Sequence, residues 1–259
     1  MPSIPRRIIN WAAAFEDGAI IRAAFFGLLS ATAVILYLDY TDLMGQDANV
    51  TQPTLSPILP AFDPSAPAGA PGPAVTTPME TLRQPLTVTL GSGGVLSLTG
   101  TIDAGAAERV AAEIAAHGEY IKTVALDSPG GAVADALAIG KLIREKGLST
   151  SVAAGALCAS SCPLVFAGGK ERLATAQSAI GVHQIYAAAP TGSLTSRIAA
   201  AGNAMSDAQT MTAEISRYLK AMGLSEEVWL RALETPPDRL TYFSTADLVA
   251  LKLATKITT

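Results

Sequence analysis

LDSPGGAVADALAIG, Leu126 to Gly140, carries a strand end, a corner and a helix start in one run. Asp127 ends the strand, Ser128 offers a cap and Pro129 turns the chain. Gly130 and Gly131 let the backbone approach a substrate. The helix that follows has Ala136, Ile139, Leu142 and Ile143 on one face. A helix start presents unpaired N–H groups and the positive end of the dipole. LCASSCPLVFAGG, Leu157 to Gly169, repeats the theme. Small residues lead into an apolar helix closed by a double glycine. Ser160 is expected at the helix N-cap, with the Ser161 N–H open in the first turn. Pro163 fits there because its missing N–H has no helical partner. Taken singly, the first stretch is an ordinary corner and the second a capped helix.

Working outward, LTVTL and VLSLTG read as strands around the glycines at 91 to 94. Ala107, Val110, Ala111 and Ile114 mark a helix over 104–116. IKTVALD, STSVAAG, RLAT and IGVH read as strands. Ser206–Met222 reads as a longer helix with Met211, Ile215, Tyr218, Leu219 and Met222 inward. Strands alternating with helices predict an α/β fold with parallel units.

The other end of the chain is different in kind. Ala23 to Leu38 carries no charge, and with Ile20 and Ile21 it reaches the length of a bilayer span. Arg6, Arg7 and Arg22 precede the run, while Asp39, Asp42 and Asp47 follow it. That asymmetry predicts a single-pass anchor with a cytoplasmic N-terminus and the remainder extracytoplasmic, in a periplasm. A cleaved signal peptide and a buried helix are the rivals. Nine prolines between Pro53 and Pro85, among Ala, Gly, Ser and Thr, predict a disordered spacer. The expected layout is a cytoplasmic segment 1–18, an anchor 19–40, a linker 41–85 and a folded domain 86–259.

Composition excludes some chemistry. The net charge is -4 and Lys and Arg are nowhere clustered, so nucleic acid is not an expected partner. Two cysteines, Cys158 and Cys162, and two histidines, His117 and His183, make a structural zinc site unlikely in kind, and no metal or other cofactor is expected. The cysteines either form one local disulfide or stay as buried thiols. His117 ends an Ala-rich helix, where an imidazole suits the dipole. His183 ends a strand, where it is either a buried structural histidine or the base for a hydroxyl nucleophile.

A strand running into SPGG and a helix, then A-S before an apolar helix ending A-G-G, then I-G-V-H-Q with its histidine 23 residues after the serine, form a constellation. It resembles the Clp protease proteolytic-subunit family of the crotonase-like superfamily. VLSLTGTIDAGAAERVAAEI looks like that family's opening strand, turn and first helix, and the resemblance covers about 95–257. It implies a ββα-repeat domain and a serine peptidase acting on a peptide or protein substrate, with subunits that can assemble as homo-oligomers. By it Ser160 matches the nucleophile, with Ser161 the competing choice one residue into the helix, His183 matches the base, and the N–H groups of Gly131 and Ser161 the oxyanion donors, with Gly130 and Gly131 against the substrate. The chain departs from the family at the acid, whose aligned position is Leu240. Asp238 is the expected substitute, pointing the same way if the segment is extended. Two rivals stand beside this reading: a non-catalytic binding or assembly module, and a Ser–Lys hydrolase using Lys170.

Overall fold

Alternating apolar residues make the central strands. Leu96 and Leu98 of β2 (Val95–Thr99), Val124 and Leu126 of β3 (Thr123–Asp127), and Thr150 and Val152 of β4 (Ser149–Val152) are buried while their neighbours are half-buried. The computed structural model describes residues 17–46, 73–185 and 194–258. Strand β1 (Thr87–Leu90) pairs antiparallel with β2, and β2, β3 and β4 then run parallel. With β6 (Arg172–Thr175) and β9 (Lys256–Thr258) they form a sheet ordered β1-β2-β3-β4-β6-β9. Three shorter strands, β5 (Leu157–Ala159), β7 (Ala179–Val182) and β8 (Thr241–Tyr242), form a second sheet ordered β5-β7-β8. The architecture is mixed α/β.

Helix α1 (Asp17–Gln46) belongs to a unit of its own, and all other described elements belong to a second. Its window Ile21–Leu38 has a mean hydropathy of 1.9 and is 0% buried. That length and composition suit a membrane span, and a signal sequence meets the same test. The segment before 17 and the prolines from Pro53 to Pro71 lie outside the described residues.

In the second unit, α3 (Ala106–His117), α4 (Val133–Glu145) and α5 (Cys162–Ala167) pack in sequence. The approach of α4 to α5 needs glycine: a Cβ on Gly168 would meet the Gly140 carbonyl at 2.3 Å. Gly140 in turn admits Tyr218 from α6 (Leu194–Ala221), whose hydroxyl donates to the Leu164 carbonyl at 2.8 Å. Burial pushes that phenol well above the ordinary range.

The folded domain starts earlier than residue 86. Thr76 N–H donates to the Gly155 carbonyl at 2.9 Å, and the Thr77 hydroxyl bonds the Asp127 carboxylate. Helix α2 (Met79–Leu82) buries Leu82 completely, in a small cluster with Leu157, Ala159 and Ala179. Val75, Met79, Leu240 and Tyr242 pack against the same cluster. The expected linker boundary at 85 is therefore corrected: residues 73–85 are part of the domain, lying behind β5.

Candidate active site

The glycine corner and the serine stretch meet because β5 inserts beside the end of β3. Ser128 N–H donates to the Leu157 carbonyl at 2.6 Å, and Ala159 N–H donates to the Ser128 carbonyl at 3.0 Å. The Asp127 carboxylate takes the Leu157 N–H at 2.9 Å. Gly130 and Gly131 have φ of 92° and 145°, conformations only glycine takes readily. A Cβ on Gly130 would lie 2.7 Å from the Ser160 Cβ and 2.8 Å from the Ser161 nitrogen. The corner thus abuts the serine directly.

Ser160 departs from the expected cap. The cap position is Ser161, in helical conformation, and its hydroxyl donates to the Gly131 carbonyl at 3.2 Å. Ser160 stands before it with φ of 60°. A non-glycine residue in the left-handed region costs roughly 1–2 kcal/mol and signals a constraint. Here Ser160 N–H is tied to the Gly181 carbonyl at 3.0 Å, and the chain is bracketed by a disulfide between Cys158 and Cys162. Both cysteines are buried, and their sulfurs are joined in that bridge. Among the described residues, neither Gly131 N–H nor Ser161 N–H donates to another protein group. These are the two amides expected to face an oxyanion.

His183 leaves the end of β7, which pairs parallel with β5 through Leu157↔Ala179, Cys158↔Ile180 and Ala159↔Gly181. Residues 160 and 183 follow the last pair on neighbouring strands. His183 is 6% exposed. Burial pulls its pKa below 6.5, opposed by the Gln184 carbonyl, which meets Nδ1 at 2.7 Å. A carbonyl only accepts, so Nδ1 carries the proton and Nε2 keeps the lone pair. The sign for stability follows. As pH falls through 6.5 the unfolded chain binds this proton first, so the group subtracts stability in acid.

Asp238 is not brought to this imidazole as an extended segment would bring it. Arg239 N–H donates to the Pro236 carbonyl at 3.2 Å, closing a turn with Asp238 at its tip. Its carboxylate is 73% exposed and lies 3.5 Å from Arg239. Prolines 236 and 237 force the bend, and the period-two assumption fails with it. Leu240, at the aligned acid position, packs into the apolar cluster behind β5. Asp238 thus sits in an exposed turn and not in the extended segment expected of a third member. Lys170 is exposed, and its N–H donates to the Leu148 carbonyl at 2.9 Å. His117 closes α3 with Nδ1 3.6 Å from Glu113. Among the described residues no group of three or more His, Cys, Asp or Glu is gathered for a metal ion.

The chain is similar in structure to a mutant ClpP1 from Listeria monocytogenes. The identity is 17%, the match covers 64% of this chain and 91% of that one, and the TM-score is 0.49. No protein-family model matches the chain, and no curated protein matches it. At that identity the likeness says nothing of activity. The feature that sequence reasoning missed is the Gln184 carbonyl at Nδ1, which no residue type could have signalled.

Proposed function

We propose that this protein is a membrane-anchored serine hydrolase of the Clp-protease type that cleaves peptide bonds in an extracytoplasmic compartment. The observation that carries the reading is the left-handed Ser160, held at a strand–helix junction beside the strand end that bears the buried His183. In this reading Nε2 of His183 takes the Ser160 proton as Oγ bonds to the peptide carbonyl carbon. The N–H groups of Gly131 and Ser161 take the charge that develops on the carbonyl oxygen. The C–N bond then breaks, the imidazolium protonates the leaving amine, and water cleaves the acyl ester by the reverse proton path. A Ser–His pair without a carboxylate retains activity at a reduced rate. An anchor within α1, a spacer before residue 73 and assembly into homo-oligomers belong to the same proposal.

A fluorophosphonate probe tests it. Labelling of the wild type, absent in Ser160→Ala and strongly reduced in His183→Ala, is the expected result. Labelling that survives His183→Ala would point to Lys170 instead. Leu240 at the aligned acid position favours the binding-module reading, and no labelling of any form would support that one.

The pH dependence is a separate expectation. The reaction needs a neutral imidazole, and burial holds its pKa below 6.5. The acid limb of the labelling rate should therefore fall below pH 6.5. An acid limb at or above that of an ordinary imidazole would contradict a buried base.

A further inference from the structure

Gln184 is gripped at three points. Its main-chain N–H donates to the Thr235 carbonyl at 2.9 Å, and its side-chain Nε2 donates to the Leu233 carbonyl at 2.6 Å. Its own carbonyl accepts from His183 Nδ1 at 2.7 Å. Leu233 lies in the last turn of α7 (Glu227–Glu234), where carbonyls have no helical donor. Thr235, the residue closing that helix, is buried and shares hydrogen bonds with the Arg231 carbonyl at 2.7 Å and Thr241 Oγ1 at 2.8 Å. Thr241 belongs to β8, which pairs with β7 at Val182. The end of α7, the start of β8 and the end of β7 thus close around one residue, Gln184, whose carbonyl Nδ1 meets.

We propose that Gln184 is a positioning residue for His183, its carbonyl taking over the orienting work of a triad carboxylate. The inference rests on the Ser160–His183 reading. Two donors fix where the residue sits, and the Nδ1 bond holds its carbonyl toward the imidazole. The carbonyl then holds the proton on Nδ1 and turns Nε2 toward the serine. A carboxylate would add charge to steady the imidazolium. A carbonyl supplies direction and tautomer but no charge, in keeping with an imidazole whose pKa is lowered.

The side chain is the separable part. Gln184→Met keeps length and apolar bulk and loses the Nε2 donor to Leu233. The test uses the full chain in detergent, comparing probe-labelling rates across pH for wild type, Gln184→Met and Ser160→Ala, with thermal midpoints alongside. The expected result is a fall in labelling of at least about tenfold in Gln184→Met, less than the ~10⁴ lost when a triad carboxylate is neutralised. The acid limb should shift and the thermal midpoint should hardly move. A Gln184→Met variant that labels like the wild type, with the same acid limb, overturns the proposal and leaves Gln184 as a helix cap. A wild type that does not label overturns the hydrolase reading beneath it. Nitrogen NMR on the wild type guards against a variant that fails to fold. With only His117 and His183 to assign, a protonated Nδ1 and an unprotonated Nε2 at His183 support the proposal, and the opposite tautomer overturns it.

Discussion

Gly130→Ala should abolish labelling at Ser160 and lower domain stability by about 3 kcal/mol, the sum of a left-handed penalty and local overpacking. At position 130 φ is 92°, and a methyl group would sit 2.6 Å from the Ala159 carbonyl oxygen, 2.7 Å from Ser160 Cβ and 2.8 Å from the Ser161 nitrogen. None of these is the end of a flexible side chain. The corner and the serine turn must separate, which pulls the Gly131 and Ser161 amides apart. Gly93→Ala is the control, because φ there is 70° and nothing lies within 4 Å of the added carbon. It should cost only about 1 kcal/mol and leave labelling intact. Urea unfolding of both variants decides the matter. Equal losses, with labelling kept in Gly130→Ala, would show that the corner does not support the serine.

Arg172→Met should cost about 3 kcal/mol or more, the range for stripping a buried cation from its acceptors. Only 5% exposed, Arg172 donates Nε to the Leu253 carbonyl at 2.9 Å, Nη2 to Lys252 at 2.8 Å and Nη1 to Gly169 at 3.1 Å. Burial, with Arg144 close by, lowers its pKa below that of an ordinary guanidinium. Methionine fills the space and satisfies none of the carbonyls. Gly169 keeps a bond from Arg144 at 3.0 Å, so the loss falls on Lys252 and Leu253, just before β9. Hydrogen exchange should quicken in β9 before it does in β2 or β3. A loss under about 1 kcal/mol would mean that water replaces the guanidinium at those carbonyls.

Much of the fold could be read from residue patterns. Leu96, Leu98, Val124 and Leu126 alternate, and Val110, Ile114, Ile139 and Ile143 recur at helical spacing, so β2, β3, α3 and α4 were legible. Strand β5 was not, being three fully buried residues with no alternation to detect. Helix α7 was overlooked although Val228 and Ala232, one turn apart, are its buried face. The serine and the histidine were legible as residue types in a known constellation. The conformation of Ser160 was not, since serine is no marker of a left-handed turn. Asp238 misled because an acid near the aligned position looked sufficient, and the paired prolines before it were not weighed as a bend.

Residues 73–82 change what trimming this protein would do. Thr76 sits so close to Gly155 that a methyl there would touch its hydroxyl at 2.5 Å, and Leu82 is sealed against the underside of Leu157 and Ala159. Cuts between 73 and 85 remove a wedge from beneath β5, so a fragment begun at 86 would keep Ser160 and His183 and lose the brace under the strand that leads into Ser160.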